Sequence, residues 1–215
     1  MTNVYLSEQE QIQAVKDWLK KYGLSIVIGV AVALLGSYAY RYWQQQQLIM
    51  AERASIIYAQ MLGSVAKNQP QQLQQFADQL MTEYKRTPYA ALAGLMLAKN
   101  AVNNSKYDFA VEKLQWVISH ARDSAVRQIA RIRAARILLA QNKAVEALAL
   151  IQTVDNPQFQ PAIDEVRGDI LATQGNKGEA RAAYQAALEK IPTSAMNRMW
   201  LQMKFDQLAD GTKNS

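Results

Sequence analysis

The stretch from Tyr22 to Tyr40, YGLSIVIGVAVALLGSYAY, holds 19 residues without a charge and is bracketed by Lys20, Lys21 and Arg41. At about 1.5 Å rise per residue, a helix of this length spans close to the ~30 Å hydrocarbon layer of a bilayer. Trp18 and Tyr22 precede it, and Tyr38, Tyr40, Tyr42 and Trp43 close it, which is interfacial aromatic placement. Nothing else in the 215 residues approaches this length of uncharged apolar sequence. One transmembrane helix is expected, over 22–43. A cleaved signal peptide is the rival reading, because Ser37-Tyr38-Ala39 fits a small-x-small cleavage pattern. Against it stand a 21-residue leading segment with Glu8, Glu10 and Asp17, and the bulky aromatics that follow.

Flanking charge sets the expected orientation. Lys16, Lys20 and Lys21 fall in the last six residues before the span, whereas Arg41 is the only base in the eleven after it. Cytoplasmic loops collect lysine and arginine, so residues 1–21 are expected in the cytoplasm and the large C-terminal part on the far side. Ser7-x-x-Glu10 reads as a capping box. Ile12, Val15, Leu19 and Tyr22 then recur at helical spacing, as in an amphipathic helix on or entering the membrane. Inside the span, Ser25, Gly29, Ala33 and Ser37 form a stripe of small residues, an arrangement that lets transmembrane helices approach closely.

Residues 44–88 continue with helical patterning. Gln44 to Gln47 supply no breaker, so the membrane helix is expected to run on into a soluble one, ended by Asn68-Gln69-Pro70. A second helix carries Leu73, Phe76, Ala77, Leu80 and Met81 before Lys85-Arg86-Thr87-Pro88 breaks the pattern.

From residue 89 to 194 the chain repeats itself. Its clearest unit reads Gly168-x-x-Leu171, Gly175, Ala180-x-x-x-Tyr184-x-x-Ala187, Pro192, the tetratricopeptide pattern. Gly168 and Ala180 are small where paired helices cross, Tyr184 fills the space between them, and Gly175 makes the turn. Aligning on the alanine gives Ala110, Ala147 and Ala180, with Leu114 and Ile151 in the place of Tyr184, and Ala98 and Ala135 in the place of Gly168. The segment from Tyr58 to Tyr84 is a degenerate further unit. In 195–215, Met196, Met199, Trp200 and Met203 are expected to cover the last hydrophobic face of the solenoid, and Asp210–Ser215 to form a loose tail. The fold class is therefore all-α: a single N-terminal transmembrane helix, then a tetratricopeptide-like α-solenoid of about three to four hairpins and a capping helix.

Chemistry is sparse. There is no cysteine and His120 is the only histidine, so a thiol nucleophile, a thiolate metal site and a histidine triad are excluded. Gly175-Asn176-Lys177-Gly178 lacks phosphate-loop spacing and follows a helix rather than a strand. No cofactor, metal, nucleic acid or small-molecule substrate is expected. The net charge is +6. Arg122, Arg127, Arg131, Arg133, Arg136 and Lys143 account for most of it, as solvated faces or as contacts for acidic partners or lipid headgroups. In such solenoids the first helix of each pair lines the concave surface, which projects Lys99, Asn103, Ile132, Arg136, Glu165 and Asp169 onto a partner-binding wall.

Several of these segments together resemble a known family. They are Gln13-Ala14-Val15-Lys16, an anchor ending in Arg41-Tyr42-Trp43, Val166-Arg167-Gly168-Asp169, Gly175-Asn176-Lys177 with Ala180-Arg181 and Tyr184, and Leu201-Gln202-Met203-Lys204. In order and spacing they are similar to the YfgM family of Gram-negative inner-membrane proteins. That resemblance implies a single-pass inner-membrane protein with a periplasmic tetratricopeptide-like domain. It further implies an ancillary subunit of the SecYEG translocon, a non-enzymatic scaffold working with a periplasmic chaperone of the PpiD type. The alternative is a tetratricopeptide tether in envelope assembly or cell division, unrelated to the translocon.

Overall fold

A computed structural model describes residues 8–210; Ser7 of the expected capping box and the tail at 211–215 lie outside the described residues. Every element of regular structure among them is helical. The chain divides into two compact units, Met1–Ile49 and Met50–Ser215.

The first helix, α1, runs from Glu8 to Ala66, so the glutamines after Trp43 do not interrupt it. Within it lies a segment long and apolar enough to cross a membrane, and none of that segment is buried. The rings of Trp18 and Tyr22 stand 5.9 Å apart at one end of the apolar stretch, and those of Tyr40 and Trp43 6.4 Å apart at the other.

In the second unit, the end of α1 is followed by α2 (Pro70–Glu83), α3 (Pro88–Asn103), α4 (Tyr107–His120), α5 (Ser124–Ala140), α6 (Ala144–Gln152), α7 (Gln160–Thr173), α8 (Lys177–Lys190) and α9 (Arg198–Asp210). Pro70 and Pro88 each stand in the first turn of a helix, where the missing N–H costs nothing. Four turns share one design. Asn68, Ser105, Asn142 and Gly175 take positive φ. The next residue's N–H then reaches back five positions: Gln69 to Ser64 (2.9 Å), Lys106 to Ala101 (2.8 Å), Lys143 to Leu138 (2.9 Å) and Asn176 to Leu171 (2.9 Å). This left-handed cap satisfies carbonyls that the helix end would leave bare. These turns define four hairpins: the end of α1 with α2, α3 with α4, α5 with α6, and α7 with α8.

The repeat register follows the sequence. Ala110, Ala135, Ala147 and Ala180 are fully buried, as is Ile151, and Ala98, Leu114 and Tyr184 are nearly so. A Cβ on Gly168 would run into the ring of Tyr184. A Cβ on Gly94 would lie 2.6 Å from a Val117 methyl, so α3 and α4 also approach closely. Burial of each Leu or Ile of this kind contributes about 1.5–3 kcal/mol. The core is a row of clusters: Ala54, Met61, Leu73 and Leu80; Ala98, Leu114, Val117 and Ala130; Ile132, Ile151, Ile163 and Val166; and Tyr184, Ala187 and Leu201.

The last helix departs from expectation. It begins at Arg198, so Met196 precedes it. Met196 is 94 % exposed and Trp200 61 %, with Met199 and Met203 also outside. Leu201, Phe205 and Leu208 pack on α8 instead. The cause is Arg198, whose Nη1 donates to the carbonyls of Leu188 (2.6 Å) and Ile191 (2.9 Å) where α8 ends. That clamp turns the leucine–phenylalanine face of α9 inward.

Candidate partner-binding site

On the anchor, Ser25, Gly29, Ala33 and Ser37 are all exposed, and the space where a Gly29 Cβ would sit is open. They stand on one helix face at successive steps of four.

The projected wall on the first helices divides. Lys99 and Asn103 on α3 are exposed and line one groove with Arg136 of α5. Ile132 is only 5 % exposed and belongs to the core beside Ile151 and Val166; it offers nothing to a partner. Its neighbour Arg133, a member of the basic cluster that was not projected onto the wall, lines the groove instead. Leu95, Val102 and Ile137 also line it. The signal for them was present: Arg133, Arg136 and Ile137 fall at i, i+3 and i+4, one helix face.

Glu165 and Asp169, on α7, are drawn into a network. Lys204 of α9 donates to Glu165 Oε1 (2.9 Å) and to both Asp169 oxygens (2.9 and 3.0 Å). Tyr184 Oη donates to Asp169 Oδ1 at 2.8 Å, and Arg136 reaches Glu165 Oε2 at 3.4 Å. Burial pushes the Tyr184 phenol well above its ordinary value, and the Asp169 carboxylate raises it further. For Lys204, burial works against the charge, but hydrogen bonds to Glu165 and Asp169 outweigh it and hold the pKa above the usual lysine value. This end of the wall is closed by its own side chains.

Most of the basic cluster is likewise committed. Arg127 Nε and Arg131 Nε hold Asp155 at 3.0 and 2.6 Å, and Lys143 meets Asp108 at 3.3 Å. Burial raises the Asp155 pKa, yet the bonds from Arg131 and Arg127 overcome this and bring it below the carboxylate norm. Beside it the fully buried Gln128 accepts the Asp155 N–H at 2.7 Å, tying α5 to the loop that precedes α7. Asp164, also buried, is matched by Arg167 and Lys190 at 3.0 Å each.

A long N-terminal apolar helix followed by hairpins in this register defines a class, the tetratricopeptide-like proteins with an apolar N-terminal helix. The tetratricopeptide repeat-like domain family matches residues 16–210. A Neisseria gonorrhoeae protein named ancillary SecYEG translocon subunit is 31% identical over 205 residues, covering 95% of this chain and 98% of its own. Proteins of the same name from Escherichia coli K12 and Aggregatibacter actinomycetemcomitans are 28% and 27% identical, covering 96% and 94% of this chain and 98% of each of theirs. The chain belongs to their family, the YfgM family. No solved structure matches it.

Proposed function

We propose that this chain is an ancillary subunit of the SecYEG translocon, anchored in the inner membrane by α1. Residues 1–21 face the cytoplasm and the hairpins the periplasm. The observation that carries this is the end-to-end match to proteins of that name, which includes the anchor as well as the hairpins. The flanking lysines support the orientation. The small-residue stripe Ser25, Gly29, Ala33 and Ser37 docks against a translocon helix. The wall on the first helices holds a PpiD-type chaperone close to emerging chains. The role is that of a non-enzymatic scaffold, with membrane lipids around the anchor.

Photo-crosslinking from position 29 or 33 in intact cells tests this. A SecY adduct is expected. Recovery of a cell-division protein with no SecY would sink the translocon reading in favour of the tether. A C-terminal part shielded from protease in spheroplasts would reverse the orientation.

A further inference from the structure

The open part of the first-helix wall carries one sign of charge. The groove between α3 and α5 holds about 390 Å³, within the range of clefts that accept a ligand of a few residues. Its floor is Leu95, Val102 and Ile137, which are half-buried on the core cluster beneath. Lys99, Arg133 and Arg136 stand along it, and no carboxylate lines it. Among the described residues Lys99 and Arg133 enter no ion pair, and Arg136 meets Glu165 only at 3.4 Å while half exposed. Glu165 also has Lys204 at 2.9 Å. Arg136 can therefore turn to an incoming carboxylate without leaving Glu165 as a bare charge. From Leu95 to Val102 the helix advances about 10 Å, the length of roughly three residues of extended chain.

We propose that this groove binds an extended polypeptide segment that is both acidic and apolar. Its carboxylates meet Lys99, Arg133 and Arg136, and its aliphatic side chains lie on Leu95, Val102 and Ile137. Charge complementarity selects the acidic residues, because three cations line the groove and no acid does. The floor selects the apolar ones, since a purely acidic strand would leave that surface wet. The proposal rests on the reading of the first-helix wall as the partner surface, and it is independent of where the anchor docks.

The test uses the full chain in phosphatidylcholine nanodiscs, with empty discs as the blank. Three labelled ten-residue peptides are titrated by fluorescence anisotropy: alternating glutamate–leucine, lysine–leucine and glutamate–glutamine. The glutamate–leucine peptide is expected to bind at least about tenfold more tightly than the other two, and to weaken as salt rises. The double variant Lys99→Glu/Arg133→Glu changes two exposed residues. It is expected to keep the helical circular dichroism signal, lose that preference and take up the lysine–leucine peptide. Equal binding of all three peptides, no binding of the glutamate–leucine peptide, or undiminished binding by the double variant would overturn the proposal. A SecY adduct without peptide preference defeats the groove alone; peptide preference without a SecY adduct defeats the docking alone.

Discussion

In the fourth hairpin the first helix gives up its side chain at Gly168 and the second helix supplies the ring of Tyr184. In the first hairpin the same register puts Met61 where Gly168 stands and Ala77 where Tyr184 stands. Both are fully buried in one cluster. The two hairpins between them use Ala98 with Leu114 and Ala135 with Ile151. The volume between paired helices is therefore filled in all four, from the second helix in three and from the first helix in one. A repeat is held by the summed volume at a crossing, so either helix can supply it. A consensus that asks for a small residue first and a large one second sees only the commoner solution.

The comparison is sharpest where it costs most. Tyr184→Ala should destabilise the full chain by about 3–5 kcal/mol in urea unfolding followed by circular dichroism, since it empties the crossing and orphans the Asp169 bond. Met61→Ala, the counterpart in the first hairpin, should cost about 2–4 kcal/mol. A Met61→Ala protein as stable as the parent would break the idea that volume is inverted there.

Asp155 has no equivalent in the first hairpin, and Asp155→Ala should cost about 2 kcal/mol by leaving Arg127 and Arg131 without their acid. Its pH dependence has a definite sign. The folded pKa lies below the ordinary 3.8, so the stabilisation is present above that value and fades as pH falls through the folded one. Unfolding midpoints measured from pH 6 to pH 2 should show a steeper loss in the parent than in Asp155→Ala.

The turns carry the smallest effects. Gly175→Ala forces a Cβ onto a residue at φ +82° and should cost about 1 kcal/mol. Ser105→Gly relieves the same conformation in the second hairpin and should raise the midpoint, by a few tenths to about 1 kcal/mol. Opposite signs at equivalent positions would show that the turns are one design built with different residues.

The anchor segment and the repeat register were legible because both are local. Nineteen uncharged residues need no partner to be recognised, and a small residue, a turn and a bulky residue recur at set offsets within each hairpin. What escaped was decided by distant partners. Arg127 and Arg131, four residues apart, share a helix face, but the acid that occupies it sits 28 and 24 residues away in the loop before α7. Nothing local marks Asp155 as theirs. The last helix failed for a related reason. Two apolar stripes, one of methionine and tryptophan and one of Leu201, Phe205 and Leu208, both fit a helical period. The rotation was chosen by Arg198 reaching back to the carbonyls of α8. Ile132 failed by register, because one step along α5 separates a core residue from the groove-lining Arg133.

The helix α5 contributes Ala130 and Ala134 to the core cluster on its N-terminal side, and Ile132, Ala135 and Leu138 to the one beyond. The helix α3 does the same one step earlier, with Ala93 and Leu97 in the first cluster and Ala91, Ala98 and Ala101 in the second. In a linear array each unit is stabilised through its neighbours, so α3 and α5 tie the row together. Fraying from the N-terminal end can run inward until it reaches α3, and from the C-terminal end until it reaches α5, where continuing would dissolve two clusters at once. Amide hydrogens in the middles of α3 and α5 should therefore be the slowest to exchange, opening only when the array opens as a whole.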